Sequence, residues 1–440
     1  MKDDRKTAYQ GKHAVSPGPS QVSSTTPVVP LRPSIEKGKK SSSLTRRGFV
    51  ALGSVAVVGI AGGFIYTHRS VALTLNGSPI SVPVGITAQE LIDSQGLSPQ
   101  PGNLISVSGN TLTQGAGDAF SLTVDNKLFS KEEAANWHAA GGETVEIGNG
   151  ADIMEDYDVT IEETQPKLET TGIKGGAVRY VSQWGKVGKK EIRTGKKSGE
   201  VADGDVLQEA QNCIITNCNI TPDNNQKVVG ISFDDGPSSF TQDYLDILAD
   251  RNVSATFFNI GKNVDSLSDI PPKVIAAGHH IASHTYSHPF LTKDTPEEVR
   301  NELSQAAESI KQATGVETTM LRPPYGDFDM NSWLASGGLI SSEILWNQDT
   351  LDWKQPGVDK IVSNALSGIK PGAIILMHDG GGKRDQDLEA LPKIIDSLIA
   401  DGYRVLSVND LMKTDSSIPA DIADGTERMP DDAVWPTELA

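Results

Sequence analysis

Cysteine is nearly absent: 440 residues hold two, Cys213 and Cys218, separated by four residues. So few exclude a disulfide-stapled scaffold, and with no paired His or Cys ligands beside them they also argue against a zinc knuckle. A disulfide across a small turn and two free buried thiols remain open for this pair. Aromatics are scarce, at 5%, whereas 43 Gly and 24 Pro favour loop-rich or β-rich portions. Positive charge is also missing from most of the chain. Residues 1–47 carry ten Lys/Arg against three Asp/Glu, leaving 29 against 54 for the remainder. A folded part that acidic lacks the basic face that phosphate backbones require, so nucleic acid is excluded as its partner. Apolar residues, at 37%, suffice for a sizeable core, and the length allows two or three domains.

Residues 1–47 are rich in Ser, Pro, Thr and Lys and have no apolar periodicity, so they read as a disordered, cytoplasmic tail. From Gly48 to Tyr66 no charge interrupts the chain, about the length that spans a bilayer. The basic tail before this run fits the positive-inside rule. Thr45-Arg46-Arg47-Gly48-Phe49 is similar to a twin-arginine export signal. With no clear small-x-small cleavage site, the segment is expected to remain as a single-pass anchor with the rest of the chain outside the cell; cleavage would make the protein secreted.

Residues 71–222 are expected to form a β-rich spacer. Alternation in Val71–Gly85 breaks at Asn76-Gly77, a hairpin signal, and a short helix candidate follows near Thr87. A second hairpin is expected at Asp125-Asn126. The strand-strand-helix-strand order is consistent with a small ubiquitin-like module, and the basic stretch Lys186–Lys197 reads as a solvated strand face. From Lys227 to Lys413, continuous apolar runs alternate with helical stretches, which implies a parallel sheet covered on both faces. One helix is fully punctuated: Thr295 as cap, Pro296 at its first position, Glu298 completing a capping box, and Gly315 beyond its end. The number of strands favours an α/β barrel, closed or nearly so. Residues 414–440 are acidic and are expected to be disordered.

Five of the apolar runs lead directly into polar residues: Asp234-Asp235-Gly236-Pro237; His284 with His288; Arg322-Pro323-Pro324-Tyr325-Gly326; Asp349 with Asp352 and Trp353; and His378-Asp379. In parallel barrels the site forms at the carboxyl ends of the strands, so the five would meet at one mouth. Adjacent aspartates on a strand end point to opposite sides and can hold different roles. The His pair, spaced i and i+4, together with one carboxylate makes a metal set with open positions. Such ligands suit zinc, with cobalt, nickel, manganese or iron as alternatives. His279 and His280 start their strand at its far end and read as structural.

The segments FDDGP, HTYSHP, RPPYG, DTLDW and LMHD, in this order, resemble the five motifs of carbohydrate esterase family four, the NodB-homology polysaccharide deacetylases. The resemblance covers Val228–Met412. It implies a distorted (β/α) barrel lacking the full eight units and a metal-dependent hydrolase removing N-acetyl groups. Carried over, Asp235, His284 and His288 hold one divalent metal and Asp234 is the general base. His378 protonates the leaving amine. Arg322 orients Asp234, Asp349 rather than Asp352 tunes His378, and the Tyr325 backbone N–H meets the oxyanion. Pro324, Trp353 and Leu376 line the acetyl pocket.

The expected substrate is an N-acetylglucosamine-containing polymer, peptidoglycan first, because an anchored enzyme with a spacer reaches the wall. Chitin-like or other surface polysaccharide, and O-acetyl ester cleavage, are the alternatives. A two-carboxylate glycoside hydrolase would leave the His pair without a task. A non-catalytic wall-binding protein would have lost a ligand or the base, and neither is missing. No protein partner can be inferred.

Overall fold

Asn76 and Gly77 both adopt positive φ, 46° and 78°, and the hairpin expected at that dipeptide pairs Ser70–Leu75 with Ser78–Pro83. These are the first strands of the described chain, residues 69–440 of a computed structural model. The tail 1–47 and the apolar run 48–66 lie outside those residues. Among the described residues no helix is long and apolar enough to cross a membrane. Helix Ala88–Gln95 begins with a Thr87/Glu90 capping box and ends at left-handed Gly96. The second hairpin turns at Asp125-Asn126, and the first strand pairs in parallel with Thr144–Asn149. Leu73, Val82, Leu91, Leu122 and Val145 give residues 70–149 a core of their own.

The rest of the expected spacer behaves differently. Tyr157–Thr164, Gly188–Gly195 and Val201–Gln208 form a mostly exposed antiparallel sheet, with Lys190 set between Glu162 and Asp203. Its basic stretch is thus a solvated strand face. Three further strands leave the spacer and join the C-terminal sheet, so the boundary expected near residue 222 falls inside a single hydrogen-bonded structure.

That sheet has eleven strands: β1 (Leu168–Gly172), β2 (Val178–Gln183), β3 (Cys213–Cys218), β4 (Val228–Gly236), β5 (Thr256–Asn259), β6 (His280–Ser283), β7 (Met320–Leu321), β8 (Ser342–Ile344), β9 (Gln348–Asp349), β10 (Ile374–His378) and β11 (Arg404–Leu406). The order is β1-β3-β2-β8-β7-β6-β5-β4-β10-β9, with β11 along the start of β4. From β8 to β9 every neighbouring pair is parallel. The sheet does not close into the expected barrel, because the outer edge of β8 is taken by β2, antiparallel, with Tyr180 opposite Ser342. The two ends of the parallel array are nevertheless joined by residues 345–347 alone. At about 3.5 Å per residue they lie within about 14 Å of each other, so the array is curled.

β4 is buried almost throughout, as a strand covered on both faces must be. Tyr244 and Leu248 from one helix and Leu391, Ile394 and Leu398 from another pack on Ile231, Phe233 and Ile375. Cys213 and Cys218 are free and sit at opposite ends of β3. Five residues of extended chain separate their Cα atoms by about 16 Å, far beyond the reach of a disulfide.

Residues 414–440 are ordered, contrary to expectation. Ile418, Ile422 and Ala423 are buried against Val228, Met320 and Met412. The last residues bond to β1 through Leu168 N–H on Glu438 and Ala440 N–H on Leu168. The apolar side chains of this acidic segment turn inward, and that spacing outweighs its composition.

Candidate active site

The strand ends converge as the five segments suggested. On β4, Ser232 and Asp234 face one side by alternation; Leu376 and His378 take the same positions on β10, with Asp234 paired to His378. Asp235 would then point away, but its φ is 68° and the register shifts between Asp234 and Gly236. This bulge turns the second carboxylate back, so both aspartates reach His284 Nε2, at 3.9 Å from Asp234 and 3.5 Å from Asp235. The expectation that they diverge is overturned by one left-handed residue.

His284 follows β6 directly. His288 comes from an irregular loop in which Thr285 and His288 both have positive φ. Glu302, on helix Pro296–Thr314, clamps that loop by accepting the Tyr286 and Ser287 N–H groups at 2.9 and 2.8 Å. The helix that was legible from its caps therefore places a histidine. His288 Nε2 lies 3.1 Å from Asp235 Oδ1. The ligand atoms of Asp235, His284 and His288 all fall within 4.8 Å of one another.

The donor set fits a divalent ion. His284 Nδ1 lies 2.7 Å from the Arg322 carbonyl, which can only accept, so the proton is on Nδ1. With Nδ1 so engaged, only Nε2 is left to face the Asp235 carboxylate, and a cation between an imidazole lone pair and a carboxylate would satisfy both acceptors. A tetrahedral zinc site with bonds of about 2.0–2.1 Å has ligand atoms about 3.3 Å apart. The observed 3.1 and 3.5 Å bracket that spacing. Burial alone would raise the Asp235 carboxyl, but positive charge at this position, here that of the two imidazoles in their protonated form, outweighs it and holds the group far below the usual carboxylate range.

Arg322, fully buried, donates to Asp234 Oδ1 at 2.7 Å and is fixed by Ser232 Oγ and the carbonyls of Ile344 and Leu345. This pairing occupies one oxygen of Asp234 and leaves Oδ2 toward the cleft. Pro324 and Tyr325 form the turn directly after Arg322; Pro324 is buried and Tyr325 is 57% exposed. Leu376 is buried and pairs with Ser232 across β4 and β10, and exposed Trp353 directly follows Asp352.

The fourth segment corrects the sequence reading. His378 Nδ1 bonds Asp352 Oδ1 at 2.7 Å, and the His378 backbone N–H donates to Asp352 Oδ2. Asp349, expected in that role, instead caps the Leu351 N–H at 2.8 Å. Left-handed Leu351, φ 54°, turns the chain between them. Burial alone would lower the His378 pKa, but the Asp352 bond and the carboxylates of Asp234 and Asp235 override it and push it up to about 9. Asp379 is also buried, on Thr241 Oγ1 at 2.5 Å, and burial raises its carboxyl to about 7.

Three contributions were not read from sequence. The Tyr244 hydroxyl donates to the His378 carbonyl at 2.9 Å. Buried Arg384 stands 3.9 Å from Asp352 and 3.0 Å from Asp387. Arg179 of β2, outside the motif region, pairs with fully buried Glu343 at 3.2 Å. None carries a local signal; each is defined by a contact distant in sequence.

The polysaccharide deacetylase family model matches residues 221–338. The chain is 36% identical over 194 residues to a peptidoglycan-N-acetylglucosamine deacetylase of Bacillus cereus, covering 43% of this chain and 70% of that protein. It belongs to the polysaccharide deacetylase family. A chitooligosaccharide deacetylase of Bradyrhizobium is 37% identical over 190 residues, covering 40% of this chain and 87% of that one. This deacetylase is accordingly a hydrolase, and the matched part contains the aspartate pair, His284, His288 and Arg322.

Proposed function

We propose that this deacetylase removes acetyl groups from N-acetylglucosamine residues of peptidoglycan, using one divalent ion, zinc, held by Asp235, His284 and His288. The observation that carries the reading is one cleft in which that donor set, a paired Asp234 and a paired His378 stand together. When bound, a divalent ion lowers the pKa of water and polarises a carbonyl. Asp234 takes the proton of the attacking water on Oδ2, while Arg322 pairs with Oδ1 and orients the carboxylate. His378 carries a proton at neutral pH and delivers it to the leaving amine. The Tyr325 backbone N–H receives the developing oxyanion, and Pro324, Trp353 and Leu376 shape the acetyl side.

The B. cereus relative supports the wall polymer and the Bradyrhizobium relative supports a chitooligosaccharide. Mass spectrometry of N-acetylated wall fragments and of chitooligosaccharides after incubation decides between them. Deacetylation of wall fragments is expected; chitooligosaccharides converted with wall fragments untouched would reverse the substrate. Metal analysis tests the centre: Ala at Asp235, His284 or His288 should lower the content from about one ion, whereas Asp234→Asn should retain it. A His284→Ala, His288→Ala double variant with the parent's content would move the site elsewhere.

The charge step at residue 47 and the apolar run after it support a cytoplasmic N-terminus, an anchor at 48–66 and an external catalytic domain. Protease added to intact cells should then degrade the catalytic domain. Full protection, with another surface protein cleaved, would overturn this topology.

A further inference from the structure

The two histidines facing the metal position are supported unequally. His284 Nδ1 is held by a backbone carbonyl, that of Arg322, and the ring is buried. His288 Nδ1 instead meets the hydroxyl of Tyr325 at 3.1 Å, with the two rings edge to face and their centroids 4.6 Å apart. Tyr325 is half exposed, so little of the protein surrounds its ring. What fixes it is Phe290, stacked on it at 4.0 Å with the planes 12° apart. The far side of Phe290 carries Lys293 Nζ, 4.1 Å from the ring centroid. Lysine, phenylalanine, tyrosine and histidine thus form one column that ends at the donor set.

We infer that the Tyr325 side chain, braced by Phe290, is the positioning group for His288, and that it sets how tightly the metal is held. This rests on the metal centre proposed above. The hydroxyl oxygen accepts the Nδ1 proton, which leaves the Nε2 lone pair toward Asp235. Outer-shell partners of this kind fix both the tautomer and the ring direction of a ligand histidine. His288 needs that support more than His284 does, because its ring is only partly buried and its loop is irregular. The histidine whose partner is an exposed side chain is therefore the weaker half of the pair.

The test is zinc affinity of the full-length protein, by competition with a chromophoric chelator, and it does not depend on turnover. Tyr325→Phe keeps the ring, the stack and the backbone N–H and removes only the acceptor. It should weaken zinc binding about tenfold, within the usual 10–100-fold range for a lost outer-shell partner. Phe290→Ala should weaken it less, because the hydroxyl remains but its ring is free to turn. The ¹⁵N resonances of His288 in the zinc-loaded protein should report an Nδ1-protonated ring in the parent and exchange broadening in Tyr325→Phe. Parental affinity in Tyr325→Phe, with His288→Ala still strongly weakened, would overturn this inference alone. Parental affinity in His288→Ala as well would overturn the metal centre on which it rests.

Discussion

Asp352→Asn should lower kcat/KM by roughly 10²–10⁴-fold, the range for disabling a general acid, whereas Asp349→Asn should cost little. Asp352 both bonds His378 Nδ1 and accepts its backbone N–H, so the amide both disorients the imidazole and removes the charge that favours its protonated form. The pH profile separates the two effects. In the parent, His378 titrates at about 9, raised by Asp352 against the opposing effect of burial. A group that must donate a proton is competent below its pKa, so the alkaline limb of kcat/KM should lie above the ordinary histidine range, and below pH 9 once a bound ion offsets the Asp235 charge. Removing the carboxylate lowers that pKa and moves the limb toward neutrality, so the deficit should grow as pH rises from 6 to 9. A loss that follows Asp349→Asn instead, or an alkaline limb unmoved in Asp352→Asn, would return the role to Asp349.

Arg179→Met should destabilise the protein by about 1–1.5 kcal/mol at pH 8, because without Arg179 the buried Glu343 keeps its proton and forfeits about 1.4 kcal/mol for each pH unit above its pKa of about 7. Glu343 has no exposure, and its other partner is the Trp333 indole N–H at 2.9 Å. Burial raises its carboxyl to about 7 even with Arg179 beside it. The sign follows from that value. At pH 5 Glu343 is largely neutral in the folded protein and needs no cation, so parent and variant should unfold at similar denaturant concentrations. Above pH 7 it must ionise unpaired or hold its proton, and the two should diverge. A deficit equal at pH 5 and pH 8 would show that Arg179 acts through packing alone. The same pair predicts that a chain cut at Lys227 is less stable than its motifs suggest, because it loses Arg179 together with β1, β2 and β3.

Much of this was legible locally. The helix at Pro296–Thr314 carries its start and stop in its own residues, because caps are satisfied within one turn. The hairpins at Asn76-Gly77 and Asp125-Asn126 are set by residues that tolerate positive φ. Segments 414–440 and 168–218 misled for a related reason. The first is acidic and the second polar with a basic stretch, but burial depends on which few side chains face inward, and Ile422 and Cys213 do.

By itself the sequence determined the parallel α/β pattern, the five polar segments at strand ends, and the charge step that marks the N-terminus, since each is a matter of residue type and spacing along the chain. Only the tertiary structure decided which carboxylates face the cleft, which aspartate holds His378, where the catalytic sheet begins and that it stays open. Each of those depends on a single backbone angle, as at Asp235 and Leu351, or on a partner far along the chain, as with Arg179 and Glu343. Short-range periodicity records neither, because side-chain direction beyond a bulge and pairing across a sheet are settled only when the whole core packs.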